Sequence, residues 1–203
     1  MNVLRYNPCM LFLLFLLAAP AQESPAYYNH RGEEHFRAGR IAESIADFDK
    51  AIALEPRLAP QHWQRGISLY YANRFADGRK QFELHQTVNP SDVENAVWHF
   101  LCVARIEDVG KARAVLIPIP EDTRVPMMQI HALFAGKGSV EDVLKPARGR
   151  DAIFYAHLYL GLYYEVAGDA ALSKKHIQLA AHEYAVDHYM GDVARVHEKL
   201  RSR

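Results

Sequence analysis

The sequence predicts an all-α protein made of antiparallel helical hairpins stacked as a solenoid with an irregular middle. Three observations carry that prediction. A phrase is written twice, thirty-four residues apart: Arg31-Gly32, Arg40, Ala42, Phe48 and Pro56 recur as Arg65-Gly66, Arg74, Ala76, Phe82 and Pro90. Each copy has two halves in which apolar or small residues fall three and four apart, the spacing of one helix face. The turn residues Gly39 and Pro56 fall between the halves and between the copies. A period of about 34 residues with two helical halves is the signature of a helical-hairpin solenoid. Stacked units of this kind form grooved binding surfaces.

The chain has 203 residues, 50% of them apolar and 24% charged, the profile of one ordinary globular domain. Lys plus Arg and Asp plus Glu number 24 each, so no global basic field exists to hold nucleic acid or an anionic membrane surface. Residues 1–21 stand apart. Arg5 precedes an apolar run from Met10 to Ala19, and Ala19-Pro20-Ala21 offers the small residues of a cleavage site before Gln22. This reads as an export signal, with a periplasmic or secreted protein in a bacterial envelope as the consequence. The run is about half the roughly 20 residues that span a bilayer. A retained anchor is the alternative, and membrane contact is expected only in that case. Cys9 precedes the apolar run instead of following it, so lipidation is not supported. Cleavage leaves Cys102 as the single thiol, inside the apolar helical stretch VWHFLCVAR, where a buried, inert thiol is expected.

After a short linker at 22–24, residues 25–203 read as one domain. The first unit, 25–58, has helical halves around Ala38-Gly39-Arg40, where Gly ends a helix cheaply in the left-handed region. Gly32 and Gly66 fall mid-helix, where Gly costs roughly 1 kcal/mol relative to Ala. Close approach of the paired helix, with Phe48 or Phe82 filling the space, is the expected compensation. The second unit is 59–92. Residues 93–150 keep helical patterning but lose the repeat, and Pro118, Pro120 and Pro126 break the stretch as a loop. A further unit runs over 154–187 with Gly161, Tyr164, Gly168, Ser173 and Ala180. Gly66 and Gly161 are 95 residues apart, where three periods would be 102, so the register slips between them. Residues 188–201 read as an amphipathic helix with a basic end, suited to capping the last apolar face.

These residues resemble the tetratricopeptide repeat. The first unit carries that repeat's large, glycine, small, aromatic, alanine and proline positions at Tyr28, Gly32, Ser44, Phe48, Ala51 and Pro56. The second matches at Gly66, Gly78, Phe82 and Pro90, with Trp63 one place late and His85 where Ala is expected, which predicts altered packing there. The resemblance implies a right-handed superhelix. From about Ser24 to Leu200 the chain also resembles the NlpI-type family of bacterial periplasmic repeat proteins, through HWQRGISLYYANRFADGRKQF, NPSDVENAVWHFL and FYAHLYLGLYYEVAGD. It departs from that family in lacking the lipidated Cys.

In the architecture implied, the first helix of each unit lines the concave face. The lining residues are then Asn29, Glu33 and Phe36 in the first unit, Trp63, Ile67 and Tyr70 in the second, and Tyr155, Leu158 and Leu162 in the last. A mostly aromatic and aliphatic groove suits a protein or extended peptide partner. Packing between helices is the competing reading for Trp63, Tyr70 and Leu162. Chaperone-tail clamps of this family use Lys, Arg and Asn in the groove, and only Asn29 matches, so a peptide ending in acidic residues is expected not to bind. His176, His182 and His188 are spaced by six, which does not bring two rings on one helix to one metal ion, and no metal or cofactor is expected. No Gly-rich phosphate loop, HExxH pair or nucleophile elbow is present, so catalysis is not expected. The leading expectation is an exported adaptor that holds a protein or peptide. By resemblance, it would present envelope substrates to a protease or regulate peptidoglycan hydrolases. The alternative is a scaffold subunit of an envelope or secretion complex, whose oligomeric state the sequence leaves open. An enzyme with an unrecognised site is the third possibility.

Overall fold

A computed structural model describes residues 23–201 of the protein, and the expected signal segment with Cys9 lies outside them. The described residues form helices joined by turns and loops, with no strand among them. Helix α1 (Pro25–Arg37) starts where the Ser24 side chain accepts from the backbone N–H of Tyr27 and Pro25 takes the first helical position. It pairs with α2 (Ile41–Leu54) across a turn in which Gly39 has φ +77°. The second hairpin is α3 (Trp63–Tyr71) with α4 (Phe75–Gln86), and here Asn73 holds the same left-handed position at φ 59°. Asn tolerates that region better than other side-chain-bearing residues, so the turn survives the loss of glycine. A 3-10 turn over Pro56–Gln61 joins the hairpins.

The duplicated phrase is a joint between paired helices. Arg31 donates twice to the Asp47 carboxylate, at 2.7 and 2.5 Å, and the next residue, Gly32, lies under Phe48. In the second unit Arg65 reaches Gln81 at 3.1 Å and Gly66 lies under Phe82. A Cβ on Gly32 would stand 2.7 Å from the Phe48 ring, and one on Gly66 2.6 Å from the Phe82 ring. The expected close approach is therefore real, and its offset of 16 residues recurs at Gly161, which faces Ile177 instead of an aromatic.

The middle is irregular, as the slipped register requires. Helix α5 (Val93–Ile106) pairs with α4 and is buried along most of its length. The short α6 (Val109–Ala114) leads into a loop around Pro118, Pro120 and Pro126, followed by α7 (Met127–Phe134) and α8 (Val140–Leu144). A long α9 (Arg150–Ala167) then ends on Gly168 at φ +84° and pairs with α10 (Ala170–Gln178), which runs on through a π-helical turn over Leu179–Glu183. Cys102 is fully buried, and burial pushes its thiol far above the ordinary value. His85, where the repeat pattern has Ala, donates from Nδ1 to the Pro60 carbonyl at 2.8 Å and so ties α4 to the inter-hairpin turn.

The last helix, α11 (Tyr189–Arg201), does more than the solvating cap expected of it. It packs on α10 and also returns to α1 at the other end of the chain. Asp192 accepts from Arg37 at 3.0 Å, Lys199 donates to the Ala38 carbonyl at 2.7 Å, and the Arg201 guanidinium donates to Asn73 Oδ1 at 2.7 Å. Gly191 permits the entry, because any Cβ there would collide with the Val186 carbonyl. The cause is hydrophobic. The concave face of the first two hairpins is too apolar to stay wet, and the nearest amphipathic helix covers it.

Candidate functional site

That closure decides the fate of the predicted groove. Phe36, Ile67, Tyr70, Leu158 and Leu162 are each 0% exposed, so as an open lining for a partner Phe36, Tyr70, Leu158 and Leu162 are corrected, and Ile67 survives only as the floor of a cleft. Phe36 stacks on Tyr189 of α11, with ring centroids 5.1 Å apart and planes at 17°. Tyr70 donates its hydroxyl to Glu165 of α9 at 2.5 Å. Leu158 and Leu162 pack in the same core. Packing between helices, the competing reading for Tyr70 and Leu162, is what they do. The two ends of the chain do meet, through Phe36 on Tyr189 and Tyr70 on Glu165.

Asn29, Glu33, Trp63 and Tyr155 keep part of their surface. Asn29 and Glu33 flank a shallow depression beside Gln64, whose amide donates to Glu33 at 3.4 Å. Trp63 and Tyr155, with Ile67 beneath, line a larger cleft of about 350 Å³ where the second hairpin faces α9 and the first turn of α11. Its walls are aromatic: Trp63 meets Tyr189 edge-on at 5.1 Å, and Tyr155 stacks on His188 at 5.8 Å. Phe82 and Trp98 stack at 6.4 Å behind them.

One end of the cleft is charged. Arg124, carried by the proline-rich loop, donates to Asp122 at 2.6 Å, to Glu94 at 2.6 Å and to Asp92 at 2.8 Å. Three carboxylates thus share one guanidinium. Burial, with the neighbouring Asp92 charge, pushes the Glu94 carboxyl up to about 6, against opposing hydrogen bonds from Tyr159 and Arg124. Burial alone would also raise the Asp122 carboxyl, but its bonds from Arg124 outweigh that and hold it below the ordinary value. Burial pushes the Tyr155 hydroxyl well up, so it remains a neutral donor.

Three polar atoms of cleft-lining residues lack a protein partner, the Tyr189 hydroxyl among them. Asn95 donates from Nδ2 to the Phe82 carbonyl and to Gln86 Oε1, at 3.2 and 2.8 Å, which leaves its Oδ1 buried and unpaired. The indole N–H of Trp98 is likewise buried and unpaired. Both residues are 2% exposed and both line the cleft. Buried polar atoms without partners are uncommon and point to something that completes them.

Sequence reasoning missed Asp92, Glu94, Asn95, Trp98, Arg124 and Tyr189. Asp92 and Glu94 look like ordinary helix-start residues, and Asp92 does cap α5 by accepting from the Glu94 N–H at 3.0 Å. The signal in the sequence is Glu121-Asp122-Thr123-Arg124, a charged insert among prolines. The histidines are dispersed. His176 Nδ1 lies 2.8 Å from His157 Nδ1, His182 pairs with Glu198, and His188 stacks on Tyr155. Among the described residues no group of three or more potential ligands could hold a metal ion.

A family model of the tetratricopeptide repeat matches residues 25–58, which are the α1–α2 hairpin and the start of the turn beyond it. With the stacked hairpins that follow, the fold is an all-α, tetratricopeptide-like helical repeat. Repeats of this kind generally mediate protein–protein interaction and are not catalytic modules. Among the described residues no helix is long and apolar enough to cross a membrane.

Proposed function

We propose that the protein is an exported adaptor, active in the periplasm of a bacterial cell envelope, that holds a protein or peptide partner at the cleft between the second hairpin, α9 and the start of α11. The cleft carries this reading. It is the place where half-buried aromatic rings and a charged loop meet on one concave surface, backed by buried, unpaired polar atoms. Half-buried Trp and Tyr beside such atoms are the usual anchors of protein recognition. The leader-like sequence of residues 1–21 supports export, and the likeness to the NlpI-type repeat proteins supports envelope proteases or peptidoglycan hydrolases as the partner class. Affinity capture from envelope extract tests it. The full chain is expected to retain an enzyme of those classes, and Trp63→Ala to lose it while remaining folded. Capture of other proteins but no such enzyme counts against the partner class, and capture that ignores Trp63→Ala counts against the cleft.

A further inference from the structure

We infer that the cleft recognises a cationic side chain, lysine or arginine, presented on an extended segment of the partner polypeptide. The charge decides the sign. Asp92, Glu94 and Asp122 carry three negative charges against the single positive charge of Arg124, and the guanidinium is already spent on all three carboxylates. An anion entering there meets net negative charge and no free arginine fork, whereas a cation meets carboxylates at one end and, at the other, the Trp63 ring beside Tyr155 and Tyr189, which stack on His188 and Phe36. Rings of Trp and Tyr attract cations through their quadrupoles within about 6 Å of the ring centroid. Elsewhere the protein uses this contact on itself: Arg31 lies 5.1 and 5.0 Å from the Tyr27 and Tyr28 rings, and Arg105 lies 5.2 Å from Phe75. No such internal cation lies over Trp63, Tyr155 or Tyr189 among the described residues.

The unpaired atoms specify what accompanies the cation. Trp98 Nε1–H needs an acceptor and Asn95 Oδ1 needs a donor, and both are buried at the inner wall. In an extended peptide the N–H and C=O of one residue point to the same side and offer a donor and an acceptor together, which a bare amine or guanidinium, having donors alone, does not. A basic residue within a peptide therefore matches the charge and the rings, and it carries the donor and acceptor that Asn95 Oδ1 and Trp98 Nε1–H lack, while the Tyr189 hydroxyl accepts or donates to either.

This inference rests on the adaptor reading but is tested apart from it, with purified full chain and synthetic peptides. Both tryptophans of the chain, Trp63 and Trp98, line the cleft, so intrinsic tryptophan emission reports directly on it. Acetyl-Gly-Gly-Arg-Gly-Gly-amide is expected to change that emission saturably, and more weakly as sodium chloride rises from 50 to 300 mM. The citrulline peptide, neutral but nearly isosteric, should bind at least about tenfold more weakly, as should free methylguanidinium. Asp92→Asn preserves a helix-capping side chain while removing one charge, and should weaken the arginine peptide by about tenfold. Tyr155→Leu keeps an apolar wall without the ring's quadrupole and should weaken it several-fold, which covers the case of an unfolded Asp92 variant. Equal binding of the citrulline peptide, or an arginine affinity unchanged in both variants, overturns the cationic preference. Methylguanidinium as tight as the peptide overturns the peptide as carrier. Loss of partner capture with the titration intact defeats the adaptor reading and leaves the cleft chemistry standing.

Discussion

Gly32 and Gly66 show how one residue type fixes a whole interface. Each lies mid-helix, where glycine is normally a cost, and each is spanned by the phenylalanine sixteen residues on. Gly32→Ala should lower stability by about 1–3 kcal/mol despite its better helix propensity, because the methyl overpacks against the Phe48 ring. Adding Phe48→Leu should restore part of the loss, and urea unfolding of the single and double variants reads both. Glu94 makes a second residue-level prediction. Its folded value, about 6, lies above the ordinary 4.5, so its favourable contribution is complete below pH 4.5 and disappears as pH rises through 6. That amounts to about 2 kcal/mol by pH 7. Glu94→Gln should therefore gain stability relative to the parent chain, by about that amount, between pH 4.5 and 7 in parallel urea titrations. The glycine joint was legible in the sequence because it repeats. The Glu94 cluster was not, since its partner Arg124 lies thirty residues away in a loop with no repeat to align it.

At the scale of elements, the hairpins α1–α2, α3–α4 and α9–α10 follow directly from the apolar spacing and the turn residues. The irregular middle announced itself through the slipped register and the prolines. What the spacing did not reveal is where α11 goes, because an amphipathic face states that it must be covered and not by what. The same gap explains the groove. Phe36 and Tyr70 do point inward, but Tyr189 of α11 and Glu165 of α9 occupy the space that a partner was expected to fill, and Leu158 and Leu162 are buried in the common core. The seam between α11 and the hairpins should be pH-sensitive. His197 lies 3.1 Å from the Tyr71 hydroxyl through Nδ1, and burial, with Arg201 and Arg105 adding to it and Glu165 opposing, drops its value to about 4. A histidine depressed in the fold adds stability that is fully present above about pH 6.5 and is lost as pH falls toward 4. His197→Gln should flatten that loss, by on the order of 2 kcal/mol between pH 6.5 and 5, in thermal unfolding. His62 and His176 are also depressed to about 4 by burial, so some acid sensitivity will persist in the variant.

Across the whole molecule, a solenoid normally offers its partner an open concave face, and this one has closed most of that face with its own C-terminal helix. What remains is a cleft at the seam, reached by the second hairpin, α9, the proline-rich loop and the first turn of α11. An adaptor of this form should run as a monomer or dimer in sedimentation, whereas a scaffold subunit should stay in a large, stable complex after purification. Site-specific photocrosslinking in the native envelope probes the central claim most directly, with the crosslinker placed in turn at Trp63 on the cleft and at Leu84, which is 39% exposed. The closed-groove account predicts a discrete crosslinked partner from Trp63 and none from Leu84. The same partner captured from Leu84 and not from Trp63 would contradict it.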